Sequence, residues 1–166
     1  IDRRGCLDSD GDGWSDAGDD FPNDPAIHLD TDGDTIPDHL DDFPFDPTQW
    51  VDADGDGMGD NPMGIGADHF PSDPSQWGDI DGDGYGDNQT GTNPDDFPID
   101  ATQWSDFDDD GYGDNPAGRL YDLFPTDSTQ WEDADGDGLG DNLTGDNADP
   151  YLNDLDNDGY NDSIDI

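Results

Sequence analysis

The chain has 166 residues, of which 46 are Asp and one is Glu, against three Arg and no Lys, so its formal net charge is −44. A field of this sign repels polyanions and excludes nucleic acid and anionic membrane surfaces as partners. Leu, Ile, Val and Phe supply only 25 residues, while Asp, Gly and Pro supply half of the chain, a composition that excludes helical bundles and Rossmann-type folds. No apolar run is long enough to span a membrane, and we expect the sequence to be a segment of a longer chain.

A nine-residue pattern, D-x-D-x-D-G-x-x-D, recurs along the sequence with few departures. Successive copies start 22, 22, 27, 27, 27 and 21 residues apart, so the array has a short unit and a long unit that carries five extra residues. The sequence therefore predicts one continuous array over residues 1–166. Its seven acidic loops, numbered 1 to 7 below, start at Asp8, Asp30, Asp52, Asp79, Asp106, Asp133 and Asp154.

A second motif links consecutive loops and is called the connector below. Its fullest form is FPFDPTQW at 43–50, and three similar copies lie at 70–77, 97–104 and 124–131. The first copy, FPNDPAIH at 21–28, has His28 in place of Trp, and after loop 6 the motif is degraded to DPYLN. Gly and Pro recur too often for helices or long strands, so we expect an irregular fold with little regular secondary structure.

Alternating carboxylates at loop positions 1, 3 and 5 can surround one cation if the chain curls, and Gly at position 6 permits the sharp turn. This is the first half of an EF-hand loop, in which position 7 contributes a carbonyl, position 9 a carboxylate and position 12 a closing carboxylate. In the long units the closing Asp falls at position 17, so we expect the extra residues to loop out. An all-oxygen ligand set favours Ca²⁺ over Mg²⁺, and no Cys/His set for zinc or iron is present.

The predicted metal ligands follow from these positions. They are Asp8, Asp10, Asp12, Trp14, Asp16 and Asp19; Asp30, Asp32, Asp34, Ile36, Asp38 and Asp41; Asp52, Asp54, Asp56, Met58, Asp60 and Asp68; Asp79, Asp81, Asp83, Tyr85, Asp87 and Asp95; Asp106, Asp108, Asp110, Tyr112, Asp114 and Asp122; Asp133, Asp135, Asp137, Leu139, Asp141 and Asp149; and Asp154, Asp156, Asp158, Tyr160, Asp162 and Asp165. The alternative is a solvated acidic tail, but a random polyacid would not keep Asp and Gly in register seven times.

With Pro, Gly and Asp flanking the loops instead of helices, the chain resembles the thrombospondin type 3 repeat, especially its bacterial and archaeal surface-protein form. The resemblance rests on the GDGW/Y, DxFPxDxTQW and DGDGxGDN signatures and covers residues 5–165. It implies an elongated, calcium-stabilised array of EF-hand-like loops without helices. It also implies one or two ions per repeat, with the connector aspartates helping to hold the second: Asp24, Asp46, Asp73, Asp100 and Asp127. Thr35 and Asp109 depart from the small residues of the pattern, and the paired cysteines of the animal repeats are absent.

Three apolar positions also repeat: loop position 7, the Phe of the connector and its Trp. We expect these side chains to pack together within the array, with ion binding supplying the remaining stability. Regularly spaced Trp residues are also typical of sugar-stacking platforms, which is the alternative.

The remaining reactive residues form no recurring site. His28, His39 and His69 share no register, so we expect no enzymatic activity. A lone Cys6 indicates either a partner outside this segment or a small apolar role. Asn88, Asn142 and Asn161 match the N-glycosylation pattern, although the same Asn is followed by Pro in two other units, which indicates a role in loop geometry.

These features predict an extracellular or cell-surface, calcium-binding structural repeat protein that forms a rigid stalk, spacer or fibre. Self-association into fibres and attachment to other domains of a longer surface protein are its expected partnerships. An adhesin that binds ligands through exposed Trp residues and the extra segments is the alternative, and a soluble calcium buffer is a weaker one.

Overall fold

The computed structural model describes residues 5–156 and residue 159. This part of the chain is built from turns and bends and contains no helix, in agreement with the predicted irregular fold. Its regular pairing consists of isolated parallel β-bridges, each between loop position 8 of a long unit and the last residue of its extra segment. They are Gly59↔Ala67, Gly86↔Pro94, Gly113↔Tyr121 and Gly140↔Ala148. Among the described residues, no helix has the length and apolar character needed to cross a membrane.

The chain divides into two compact units, Ile1–Gly78 and Asp79–Ile166. The division falls at the start of loop 4, between one repeat and the next. The first unit holds loops 1 to 3, and the second holds loops 4 to 7. The continuous seven-loop array remains a prediction.

Loops 1, 2, 3, 5 and 6 are each closed at the base by one backbone hydrogen bond. The N–H of position 9 donates to the carbonyl of the residue before the loop, as in Asp60 to Val51 at 2.9 Å and Asp114 to Ser105 at 2.9 Å. Within the loop, positive φ angles at positions 4 and 6 turn the chain, with values of 83° at Gly55 and 93° at Gly57. Glycine adopts this region without steric cost, which explains its place in the motif.

The connector forms a second closed turn. At the connector that follows loop 2, the N–H of Asp42 donates to the carbonyl of Trp50 at 3.4 Å, and the Asp42 carboxylate accepts from the N–H of Asp52 at 3.0 Å. The same carboxylate contact joins Asp20 to Asp30 and Asp96 to Asp106. The connector thus delivers the chain to the first position of the next loop in a fixed conformation.

The extra segment of a long unit, called the insertion below, spans 61–67, 88–94, 115–121 or 142–148. It leaves the acidic loop after position 9 and returns beside position 8, where the N–H of the closing Asp donates to a glycine carbonyl. That bond is 2.8 Å long from Asp68 to Gly59 and 2.8 Å long from Asp122 to Gly113. The insertion therefore loops out while its ends stay together.

The interior is polar. None of the described hydrophobic side chains is buried, and the side chains that are buried belong to Asp and Gln. Apolar packing is limited to half-buried contacts, including stacked ring pairs between loop position 7 and the Trp position of the following connector. The pairs are Trp14–His28 at 4.5 Å, Tyr85–Trp104 at 5.0 Å and Tyr112–Trp131 at 5.0 Å between ring centroids. With so few apolar residues in the sequence, the repeats have no larger hydrophobic core to form.

Candidate metal centres

The structure brings the alternating aspartates of the acidic loops together. In each of loops 1 to 5, one carboxylate oxygen from position 1, one from position 3 and one from position 5 lie within 4.8 Å of one another. The groups are Asp8, Asp10 and Asp12; Asp30, Asp32 and Asp34; Asp52, Asp54 and Asp56; Asp79, Asp81 and Asp83; and Asp106, Asp108 and Asp110. Such carboxylate clusters can hold a metal ion.

Backbone N–H groups fix the orientation of each carboxylate. In loop 3, Asp52 accepts from Gly55 through Oδ1 at 2.7 Å and from Gly57 through Oδ2 at 3.0 Å. Oδ1 of Asp56 accepts from the N–H of Met58 at 2.7 Å. These contacts occupy one oxygen of Asp56 and hold the other in a defined direction.

The oxygens left over have no protein partner. Oδ2 of Asp54 and Oδ2 of Asp56 are buried and accept no hydrogen bond. The corresponding atoms are unpartnered in loop 4, at Asp81 and Asp83, and in loop 5, where both oxygens of Asp108 are in this condition. Leaving a charged oxygen buried and unpaired is costly, so these oxygens, which recur at the same loop positions, could hold a cation.

The closing carboxylates join these groups. Asp68, Asp95, Asp122 and Asp149 are 3%, 1%, 5% and 1% exposed, and Oδ2 of each is buried without a hydrogen-bond partner. Oδ1 of Asp122 accepts from the N–H of Phe124 at 2.7 Å, which fixes the side chain. The short units place Asp19 and Asp41 in the same way, each 7% exposed.

The charges that raise the pKa of each closing carboxylate come from aspartates of its own loop. Burial, together with the negative charges of Asp83, Asp81 and Asp87 and against the opposing Phe97 N–H, raises the pKa of Asp95 to about 6. Burial raises the pKa of Asp122 to about 6 as well, with Asp110, Asp108 and Asp114 contributing.

Loop 6 follows the same arrangement, because burial and then Asp135, Asp137 and Asp141 raise the pKa of Asp149. A cation would remove both the burial cost and the mutual repulsion. The donors fit a hard divalent ion.

Position 9 differs among the loops. Both oxygens of Asp16 accept from Ser9, and both oxygens of Asp38 accept from Thr31, at 2.6–2.8 Å. In loops 4 and 5, by contrast, Oδ1 of Asp87 and Oδ1 of Asp114 are buried and unpartnered. This position therefore has an available buried oxygen in some loops and a hydrogen-bonded carboxylate in others.

Position 7 turns its side chain toward the next connector, as the stacks of Trp14, Tyr85 and Tyr112 show. Ion binding through the carbonyls of Trp14, Ile36, Met58, Tyr85, Tyr112 and Leu139 stays a prediction.

The connector aspartates, predicted as ligands of a second ion, have a local structural role. Oδ1 of Asp100 accepts from the hydroxyl of Thr102 at 2.7 Å, and this hydrogen bond lowers the pKa of Asp100. Asp46, Asp73 and Asp127 bond the residue two positions later in the same way, and Asp24 accepts from the N–H of Ala26. A second ion at these residues stays a prediction.

Loop 7 is only partly described. Asp154 is 2% exposed and its Oδ2 accepts from the N–H of Gly159, the contact that position 1 makes with position 6 in other loops. Asp158, Tyr160, Asp162 and Asp165 lie outside the described residues, as does Asn161.

The sequence pattern predicts no role for the Gln of the connector. In the structure, however, this Gln is buried in all four connectors that have it, with 1% exposure at Gln49, Gln76, Gln103 and Gln130. Gln49 donates from Nε2 to the carbonyls of Asn61 and Ile65 and accepts at Oε1 from the N–H of Asn61. The Gln49 side chain therefore fills the space enclosed by the insertion 61–67, which leads directly to Asp68. A signal was present, because all four connectors with Gln precede a long unit.

The remaining singled-out residues also have defined places. His28 stacks on Trp14, and Nδ1 of His69 lies 3.3 Å from the Trp77 carbonyl. Cys6 is exposed. Nδ2 of Asn142 donates to the Thr129 carbonyl at 2.8 Å, so this Asn is part of the insertion's hydrogen-bond set. Comparison with known proteins finds no family model and no curated protein that matches the chain.

Proposed function

We propose that the protein is an extracellular calcium-binding structural repeat protein of the thrombospondin type 3 kind, acting as a rigid stalk, spacer or fibre without catalysis. The observation that carries the proposal is the recurrence of buried, unpartnered carboxylate oxygens in loops 3, 4 and 5, where each set includes the closing Asp. In loop 5 these come from Asp108, Asp110, Asp114 and Asp122. Most of the few buried side chains are carboxylates, whose charges repel one another. We therefore expect the ordered structure to depend on bound cations.

Calcium is the proposed ion because the donors are numerous carboxylates on a flexible loop. Ca²⁺ accepts six to eight oxygens at variable angles, whereas Mg²⁺ requires a near-ideal octahedron and releases its waters reluctantly. Extracellular modules bind calcium with dissociation constants of about 10⁻⁴ to 10⁻³ M, a concentration that the cytosol does not provide. This supports an extracellular or cell-surface location.

The similarity to thrombospondin type 3 repeats supports the structural role, as does the quasi-repetitive chain. Each acidic loop contacts its own connector through short-range bonds, so order can extend by adding repeats. Joining such chains end to end would produce a fibre.

The decisive experiment is calcium titration by isothermal calorimetry, with Mg²⁺ as the competing ion. Asp108→Ala removes a side chain whose two oxygens have no hydrogen-bond partner, so it should weaken one site by at least about tenfold and leave the others intact. Asp146→Ala makes the same charge change at an exposed position outside the ligand set and should bind like wild type. Equal affinity for Mg²⁺, or no binding by wild type, would contradict the proposal.

One observation favours the adhesin alternative. An open cleft of about 430 Å³ in the second unit is lined by Leu120, Tyr121, Leu123 and Trp131 together with acidic residues of loop 6. Aromatic and polar groups in one cleft can hold a sugar or peptide. Quenching or shift of Trp131 fluorescence by added glycans, abolished by Tyr121→Ala, would support this function over a spacer.

A further inference from the structure

The adjacent residues Gln103 and Trp104 contact different metal loops. Trp104 stacks on Tyr85, position 7 of loop 4, with ring planes 5° from parallel. Gln103 extends into the next repeat, where its Nε2 donates to the carbonyls of Asn115 and Arg119 at 3.1 and 3.0 Å, and its Oε1 accepts from the N–H of Asn115 at 2.9 Å. A single dipeptide thus links the preceding loop to the following one.

The insertion around Gln103 carries the closing carboxylate of loop 5. Its return to the loop is made by the Gly113↔Tyr121 bridge, immediately before Asp122. The neighbouring Thr102 adds two bonds, accepting from the N–H of Arg119 at 3.0 Å and from Nδ2 of Asn115 at 2.8 Å. The position of Asp122 therefore depends on an insertion that is folded around a side chain of the preceding connector.

Close packing makes this contact specific. A Cβ atom added at Gly113 would lie 2.2 Å from the side-chain amide of Gln103, and one added at Gly118 would lie 2.2 Å from the Thr102 carbonyl. The same collisions occur at Gly59 and Gly64 around Gln49 and at Gly140 and Gly145 around Gln130. Glycine is required at these positions for space.

The sequence shows the same association. Long units have Gln in the preceding connector and Gly at loop position 8, namely Gly59, Gly86, Gly113 and Gly140. The units without an insertion have Ser15, Pro37 and Asn161 at position 8. The connector at 21–28 precedes a short unit, loop 2, and has Ile27 where the connectors before long units have Gln. Gln, Gly and the insertion therefore form one structural module.

We propose that the dipeptides Gln103-Trp104 and Gln130-Trp131 each position two successive metal sites, Trp the preceding site and Gln the following one. Both are positioning residues, because neither side chain is part of the ligand set. The inference rests on the proposed metal binding. It makes the connector the element through which binding at one loop favours order in the next.

The test uses the whole chain with Gln103→Met and Trp104→Ala, measured by calcium titration and by residue-resolved amide hydrogen exchange. Met keeps the volume of Gln but makes none of its hydrogen bonds, so the carbonyls of Asn115 and Arg119 lose their donor. Gln103→Met should weaken the loop 5 site by about tenfold and release the Asp122 amide, while the Tyr85 amide stays protected. Trp104→Ala should release the Tyr85 amide and leave Asp122 protected.

Gln130→Met and Trp131→Ala are the matched pair one repeat later, with Asp149 and Tyr112 as the reporting amides. If either Gln variant keeps full calcium affinity and protection of its closing Asp, or if both variants of a pair affect both sites equally, the inference is wrong. A wild-type chain that binds no calcium would instead contradict the proposed function, and this outcome is visible before any variant is made.

A second variant separates loss of the module from general damage. Deleting residues 62–66 places Asp68 at position 12 of loop 3, as in a short unit, and Gln49→Ile restores the Ile27 type of connector. Gln49→Ile alone should weaken the loop 3 site, and the combined variant should recover wild-type affinity within about threefold. If the combined variant binds no better than Gln49→Ile alone, the module is refuted.

Discussion

Two residues in the acidic loops adopt backbone conformations that their side chains disfavour. Thr35 has φ of 84° at position 6 of loop 2, where every other loop has Gly, and Asp109 has φ of 61° at position 4 of loop 5, where loops 1 to 4 and loop 6 have Gly. A β-branched residue in the left-handed region is strained by roughly 1–2 kcal/mol. The N–H of Thr35 still donates to Oδ2 of Asp30 at 3.0 Å, so the loop hydrogen bond is kept in spite of this strain.

Thr35→Gly should raise the free energy of unfolding in saturating calcium by about 1 kcal/mol, because glycine relieves the strain and keeps the backbone bond. Denaturant titration monitored by Trp fluorescence measures the change. Ala53→Gly, at an exposed loop position outside the left-handed region, is the control and should lower stability slightly. A destabilised Thr35→Gly variant would show that the Thr side chain has an unrecognised role.

The closing carboxylates link metal binding to protons. Burial and neighbouring aspartates raise the pKa of Asp95 and Asp122 to about 6 in the metal-free fold, above the unfolded value of 3.8. A raised pKa penalises the folded state above pH 6, and the penalty disappears as the pH falls toward 4. Calcium binding should have the opposite pH dependence and weaken as the pH falls, because a protonated carboxylate must release its proton before it binds the ion.

Calcium affinity at loops 4 and 5 should therefore fall by up to about tenfold per pH unit below pH 6, whereas acidification should stabilise the metal-free fold. Calorimetric titrations at pH 5 and pH 7 measure the first effect. Asp95→Asn should weaken the loop 4 site at both pH values and remove its part of the pH dependence. Affinities that are independent of pH between 5 and 7 would contradict the assigned closing role.

At the scale of the element, a stacked ring pair joins loops 1, 4 and 5 to the connector that follows each of them. The first pair uses His28 in the place that Trp occupies in later connectors, and its ring lies 4.5 Å from that of Trp14 at an interplanar angle of 9°. An open cleft of about 260 Å³ borders His28, so a larger ring has room there. The imidazole buries less apolar surface against Trp14 than an indole would.

His28→Trp should therefore raise the free energy of unfolding in calcium by about 0.5–1 kcal/mol, measured by denaturant titration. The control is the same substitution in a Trp14→Ala background, where the stacking partner is absent and no gain is expected. An equal gain in both backgrounds would attribute the effect to general hydrophobicity rather than to the stack.

At the scale of the whole molecule, a net charge of −44 opposes any compact state of the metal-free chain. The described residues include no buried hydrophobic side chain that could offset this repulsion. Divalent ions bound at the predicted ligands would lower the repulsion and link chain segments that are distant in sequence, such as loop positions 1 and 17. Order and charge neutralisation are therefore expected to occur together.

Small-angle scattering in millimolar calcium should give a stiff, elongated particle, and chelation should give an expanded, flexible chain with loss of near-ultraviolet circular dichroism. Raising NaCl in the chelated sample should reduce the dimensions through screening without restoring the ordered signal. A sphere-like calcium form, or identical scattering curves with and without calcium, would argue against the stalk or fibre and favour a buffer or compact adhesin.

The sequence alone determined the acidic loops, their order along the chain and the irregular fold, because these depend on spacings of a few residues. The Asp alternation and the Gly at position 6 act through bonds such as Asp52 to Gly57, which chain connectivity brings within reach. Only the tertiary structure decided that the connector Gln is buried and that Trp104 and Gln103 contact different loops. Those contacts join residues 12 to 19 positions apart. Their formation depends on the insertion closing around the amide, which no local spacing specifies.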